Sequence, residues 1–244
     1  MKWDIGCSGF YYKEWKELFY PAKLAQKDWF EFYCTEFNSI ELNGTFYRTP
    51  LLKNLQKWYD TSPANFSFSV KAPRLISHYK KFVDCKAILD EFYTLIQNGL
   101  GEKLKAILFQ MPPGFTYSEE RLELILEILS PGFSNVLEFR HSSWWQEKIF
   151  KLLGKKKIIF AGISHPSLPD DVICNTDTTY YRFHGIPKLY YSEYTAEAVK
   201  KITDQLLLNT HVEKALVYFN NTAGMGAINN ASWMKAYLSS ITNK

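Results

Sequence analysis

The sequence is poor in residues that staple, cluster on metal or span a bilayer. Of 244 residues only four are cysteine (Cys7, Cys34, Cys85 and Cys174), and no two form a CxxC pair. That spacing argues against a zinc knuckle and a disulfide framework, and a reducing cytoplasm is the expected compartment. No apolar run approaches about 18 residues, so no membrane-spanning helix is expected. Met1-Lys2-Trp3-Asp4 lacks the charged-then-apolar order of a signal peptide. No long stretch is polar or low in complexity, which argues against disorder. Histidine is scarce, at five, and no HxH, HExxH or DxD spacing occurs. The net charge of +4 permits an anionic ligand but is too mild to imply nucleic acid. The basic clusters, Lys155-Lys156-Lys157 and Lys80-Lys81, read as solvated helix ends.

Aromatic residues are abundant, at 17%, within an apolar fraction of 46%. Eight short apolar or β-branched runs recur along the chain, at 3–7, 39–42, 66–71, 106–110, 135–139, 158–163, 179–184 and 215–220. Amphipathic stretches at 28–37, 51–59, 85–99, 118–129, 145–153, 195–208 and 229–239 fill most of the gaps as helices. Eight such units at about 30 residues each predict an α/β fold, a TIM-like (β/α)8 barrel. With no linker or internal repeat, residues 1–244 are expected to form a single domain. An open doubly wound sheet ranks second, because Gly6-Cys7-Ser8-Gly9 fits the GxGxxG turn poorly.

Alternation places the polar side chains. Ser67, Ser69 and Lys71 share one strand face, as do Glu138 and Arg140, and Arg182 and His184. Apolar faces meet the helices, so these polar sets point into the barrel, late in each strand where catalytic residues collect. The same parity turns Ser8, Glu41, Asn43, Gln110 and Asn220 inward. Glu138 is a candidate general base, or the partner of a barrel arginine. His184 is a candidate general acid or base, Gly185 and Pro187 placing it at a rim. Arg140, Arg182 and Lys71 could hold an anion, and Gln110 and Asn220 could orient hydroxyls. Lys71 could instead pair with Glu41 or Glu138, or form a Schiff base. Paired carboxylate chemistry between Glu41 and Glu138 is a weaker reading. His78 could reach the mouth from its loop. Asn221 lies in a small-residue turn, Asn220 to Ala227, that could bind an oxyanion ahead of a helix starting near Asn229. Trp144, beside His141, is the aromatic best placed to stack on a ligand, most other loop aromatics reading as packing. Glu41, Glu138, His141 and His184 could converge on a divalent metal, although no spacing motif supports it and no other cofactor is indicated.

At these residues the chain resembles the YecE-like family, also called the domain of unknown function 72 family. The resemblance runs through Gly6-Cys7-Ser8-Gly9-Phe10, Trp15, Phe19-Tyr20-Pro21, the run from Phe37 to Tyr47, and Phe66 to Lys71. It continues through Ile76-Ser77-His78, Phe109-Gln110-Met111-Pro112-Pro113, Glu138 to Trp144, Tyr181 to Gly185, Tyr190 to Tyr194, Phe219-Asn220-Asn221 and Gly226 to Ala231. It implies a TIM-barrel-like fold and supplies no activity. Members often carry Thr where Cys7 and Ser77 stand, and an Asp where this chain has Ser164-His165-Pro166. If that Asp is functional in relatives, its absence weakens metal chemistry here, or His165 replaces it.

The expected function is therefore an enzyme acting on a small anionic, phosphorylated or sugar-like substrate in a cationic, aromatic-rimmed pocket. A metal-dependent nuclease or phosphatase, and a non-catalytic barrel binding nucleic acid or protein, are the alternatives. No oligomeric state is read from the sequence. Glu138→Gln and His184→Asn are expected to fold normally and to lose binding or turnover.

Overall fold

A computed structural model describes residues 1–242. The strand segments are β1 (Lys2–Cys7), β2 (Ser39–Leu42), β3 (Ser67–Lys71), β4 (Leu104–Gln110), β5 (Asn135–Glu138), β6 (Ile159–Phe160), β7 (Gly162–Ser164), β8 (Thr178–Phe183) and β9 (Lys214–Phe219). The longer helices are α1 (Trp29–Glu36), α2 (Leu52–Thr61), α3 (Lys86–Leu100), α4 (Glu119–Ile128), α5 (Glu147–Lys155), α6 (Ala196–Leu207) and α7 (Gly226–Thr242). Helix starts follow ordinary capping chemistry where it is available. Ser118 accepts a hydrogen bond from the Arg121 amide, and Thr195 one from the Ala198 amide. α7 begins three residues earlier than the sequence suggests, because Gly226 is already helical.

All strand pairs are parallel, in two hydrogen-bonded sheets ordered β1-β9-β8-β7 and β2-β3-β4-β5-β6. β6 and β7 are successive halves of one run, interrupted at Ala161; the first half pairs with β5, the second with β8. Side chains close the two remaining seams. Between β1 and β2, the Asn38 amide accepts from the Ile5 amide (3.0 Å) and donates to the Trp3 carbonyl (2.8 Å). Beside it, the Tyr33 hydroxyl accepts from the Cys7 amide (2.7 Å) and donates to the Ser39 carbonyl (3.0 Å). At the other seam, Asn175 accepts from the Phe160 amide (3.0 Å) and donates to the Ile158 carbonyl (2.9 Å). Closed in this way, the molecule is a single-domain TIM-like (β/α)8 barrel.

Alternation divides the apolar residues into two compartments. Ile107, Phe109, Leu137, Phe160, Val217 and Phe219 pack outward against the helices. Ala106, Leu108, Val136, Ile159, Ala161, Tyr180, Leu216 and Tyr218 fill the barrel. Among these inward apolar residues lie the buried Asp4, Ser39, Ser67 and Ser69, with Tyr218 OH joining Ser39 Oγ (2.6 Å) and Ser69 Oγ (2.9 Å), and the ionic and amide groups of the mouth follow toward the strand C-termini. Among the described residues no helix is long and apolar enough to cross a membrane.

Candidate active site at the barrel mouth

The inward polar residues assemble at the C-terminal ends of six strands. Lys71, Gln110 and Glu138 are the last residues of β3, β4 and β5. Glu41 stands on β2 and Arg182 on β8, and Arg140, His184 and Asn220 lie just past strand ends. Glu138 is the hub. Its Oε1 accepts from Arg140 Nε and from Gln110 Nε2 (2.7 Å), and its Oε2 from Arg182 Nη1 (2.5 Å). Arg182 Nη2 donates to Glu41 Oε1 (2.6 Å), and the Tyr180 hydroxyl to Glu41 Oε2 (2.5 Å). Glu41, Glu138 and Arg182 are buried, so these pairs act where solvent screening is weak. Burial pushes Glu138 up, but Arg140, Arg182 and His184 outweigh it and hold the carboxyl well below its usual range.

The His184 tautomer follows from an amide relay. Asn43 Nδ2 donates to Asn220 Oδ1 (3.3 Å), which turns Asn220 Nδ2 toward His184 Nδ1 (2.9 Å). Nδ1 is then the acceptor, which leaves the neutral ring's proton on Nε2, where Glu138 Oε2 (3.3 Å) and Arg140 Nη2 (3.2 Å) both approach. Burial, and then Arg140, hold the imidazole well below its ordinary value, so it is neutral at pH 7. The arrangement suits a fixed hydrogen-bond donor better than a free general base.

Lys71 stands apart from the ion pairs. Its ammonium donates to Gln110 Oε1 (2.8 Å) and lies 4.1 Å from the Phe46 ring centroid. The expected pairing with Glu41 or Glu138 is not made, because arginines occupy both carboxylates. His78 packs edge-on to the same Phe46 ring at 4.9 Å, its Nδ1 3.0 Å from Ser77 Oγ. A π-helical turn, Leu75–Lys80, carries it there. Burial, and then the Lys71 charge, lower the His78 imidazole below its usual value.

Other expected site residues have structural partners. Trp144 is buried, stacked on Phe139 at 4.0 Å, with its indole N–H donating to the Phe115 carbonyl (2.7 Å). It is a wall of the core rather than a stacking face for a ligand. His141 caps the short turn Ser142–Trp144, accepting from the Ser143 amide (3.2 Å), with its Nδ1 2.8 Å from Ser143 Oγ. Asn221 donates to the Ser192 carbonyl (3.1 Å) and to Asn230 Oδ1 (3.0 Å), bracing the turn into α7. His165, 6.0 Å from the His184 ring, lies beside the cluster. Among the described residues no three His, Cys, Asp or Glu side chains form a group able to hold a metal.

A cleft of about 690 Å³ adjoins the mouth, and its lining cations are not among the residues expected from sequence. Phe10, Tyr11, Tyr47 and Trp58 wall it, and Lys27, Arg48 and Lys57 line it with no carboxylate among the lining residues. Asn43 belongs to both cleft and cluster. Two buried polar atoms at this junction, Asn43 Oδ1 and Ser8 Oγ, have no hydrogen-bond partner among the described residues. The cleft draws on segments far apart in sequence, so strand parity could not reveal it. Composition gave only the excess of aromatics.

A family model described as "Protein of unknown function DUF72" matches residues 4–244. The UPF0759 protein YunF of Bacillus subtilis (strain 168) is 26% identical over 250 residues, covering 88% of each chain. The crystal structure of a DUF72 family protein from Thermotoga maritima superposes with a TM-score of 0.89 at 28% identity, covering 98% of this chain and 100% of that one. A D-psicose 3-epimerase from Clostridium cellulolyticum H10 is similar in fold alone, with a TM-score of 0.56 at 10% identity and 98% of each chain covered.

Proposed function

The chain belongs to the DUF72 family of proteins of unknown function, and from that premise we propose that it is an enzyme of small anionic, phosphorylated or sugar-like substrates. The substrate is held where the mouth cluster meets the aromatic cleft. The observation that carries this reading is a cleft lined by Lys27, Arg48 and Lys57 and by no carboxylate, which meets the mouth cluster at Asn43. Lys27, Arg48 and Lys57 supply positive charge without ion-pair partners among the described residues, unlike the mouth arginines. Tyr47 and Tyr11 expose ring faces suited to a sugar ring. Glu138 and His184, named from sequence as base and acid/base, act in this reading as the scaffold that fixes Arg140 and Asn220.

A thermal-shift series tests it with glycerol 3-phosphate, ribose 5-phosphate, glucuronate and glucose. Ligand at 100 times its Kd adds about 2.7 kcal/mol, a rise in Tm of about 5–10 °C. The expected result is a rise with the phosphorylated polyols and little with glucose. Arg48→Ala and Lys57→Ala should remove the rise, and Asn43→Ala should weaken it. No shift with any anion, or an equal shift in Arg48→Ala and Lys57→Ala, would overturn the reading and favour a barrel with a macromolecular partner.

A further inference from the structure

We propose that the Lys71 amine is the covalent carrier of a carbonyl-bearing form of this substrate, attacking an aldehyde or ketone carbon to give a protonated imine. The proposal rests on the reading that a small anionic substrate is bound at the mouth, and it names the substrate class as phosphorylated or acidic carbonyl compounds.

Geometry comes first. Lys71 ends β3 at the mouth, where the residue keeps a small exposure of 8%. A buried lysine ordinarily takes a carboxylate partner. Here Glu41 is bound by Arg182 and Tyr180, and Glu138 by Arg140, Arg182 and Gln110. What remains for Lys71 is one neutral acceptor, Gln110 Oε1, and the face of Phe46. Gln110 is itself fixed by donating to Glu138, so its carbonyl aims the amine. Burial, and then the Arg182 charge, pull the Lys71 ammonium down to about 7. A large fraction is therefore free amine at neutral pH, the form that attacks carbonyl carbon. The Phe46 face that receives the ammonium can equally receive the cationic imine. His78, neutral and packed on the same ring, has its Nε2 free of protein partners among the described residues and can relay protons.

The step balances without a redox partner. The amine lone pair forms the C–N bond as the carbonyl π pair moves to oxygen. One amine hydrogen passes to that oxygen, and a proton from solution, relayed by His78, completes it as water. The second amine hydrogen stays on nitrogen as the C=N bond forms, leaving one positive charge on the imine.

The test incubates the whole protein at pH 7 with glycolaldehyde phosphate or dihydroxyacetone phosphate and reduces it with sodium borohydride. Modified lysines are then mapped by peptide mass spectrometry. Lys71 is expected to be labelled at least about tenfold faster than exposed Lys148. Burial holds Lys71 down, whereas Tyr117 and Glu119 hold the Lys148 ammonium up, so Lys71 carries far more free amine at pH 7. Glycerol 3-phosphate should compete, and Lys71→Arg should lose this adduct alone while melting as a folded protein. Even labelling across surface lysines would overturn the proposal. Absence of a Lys71 adduct while glycerol 3-phosphate still raises Tm would sink the imine and leave the anion site standing. Absence of both would sink the two readings together.

Discussion

Glu138 shows how position can be legible while role stays open: of its two sequence readings, the pairing with a barrel arginine is made. Parity brought Glu138, Arg182, Gln110, Lys71 and His184 to one face of the barrel, and the structure gathers them at one mouth. What parity could not give was the pairing, since any of the cations could have reached either carboxylate. The cleft cations Lys27, Arg48 and Lys57 were illegible for a different reason: they lie on loops and helices, where no strand period orders them. Pairing changes the expected outcome of substitution. Glu138→Gln leaves two guanidiniums short of a counter-charge in a buried site, so it should destabilise by about 3–5 kcal/mol instead of folding normally. Urea unfolding checks this, and a double-mutant cycle with Arg140→Met should show a coupling of about 1–3 kcal/mol. Lys71 gives a second prediction. Its folded value, about 7, lies below its unfolded one, so between about pH 7 and 10 the unfolded chain holds the extra proton. Stability should rise across that window by up to about 1.4 kcal/mol per pH unit in wild type relative to Lys71→Met. Parallel stability curves for the two proteins would show that burial does not disfavour the charge.

At the scale of elements, the barrel depends on two asparagines that no periodicity marks. The eight strand positions were legible because each is a short apolar or β-branched run set off by helical stretches, and the bounds differ from observation by a residue or two. Closure was not legible, because β1 meets β2, and Phe160 meets its neighbour, through side chains from loops. Gly6 explains part of the first seam: a Cβ there would fall 1.9 Å from the Ser39 carbonyl oxygen, so the strands approach at a distance only glycine permits. Asn38 and Asn175 each satisfy a strand N–H and a strand C=O that would otherwise be orphaned. At about 1–3 kcal/mol per unpaired buried group, Asn38→Ala and Asn175→Ala should each cost about 2 kcal/mol or more. Amide exchange at Ile5 should quicken in the first variant and at Phe160 in the second, each beyond the change elsewhere. A uniform change would mean the seams are held by packing.

For the whole molecule, the mouth is a charge-balanced layer at the C-terminal end of the barrel. Two carboxylates offset two guanidiniums, and the histidines around them are kept neutral. Burial is the first cause for His184, His78 and His165, and nearby cationic side chains (Arg140 for His184 and His165, Lys71 for His78) are the second. Their folded values all lie below the unfolded value of about 6.5. As pH falls through 6.5 the unfolded chain binds protons that the folded barrel refuses, so stability is lost on the acid side. Glu138 adds no loss in this range, since its folded carboxyl titrates well below the usual range. Urea midpoints should therefore fall between pH 7 and pH 5, with an average slope of at least about 1 kcal/mol per pH unit from these groups together. His184→Asn should flatten the slope while lowering stability at pH 7, where its hydrogen bonds to Asn220 and Glu138 are lost. A phosphate ester held by the cleft cations would add negative charge near the mouth and make protonation of these histidines easier. The acid loss should then be smaller with saturating glycerol 3-phosphate than without it. That difference reports whether anion site and histidine cluster share one electrostatic field, and an unchanged slope would separate them.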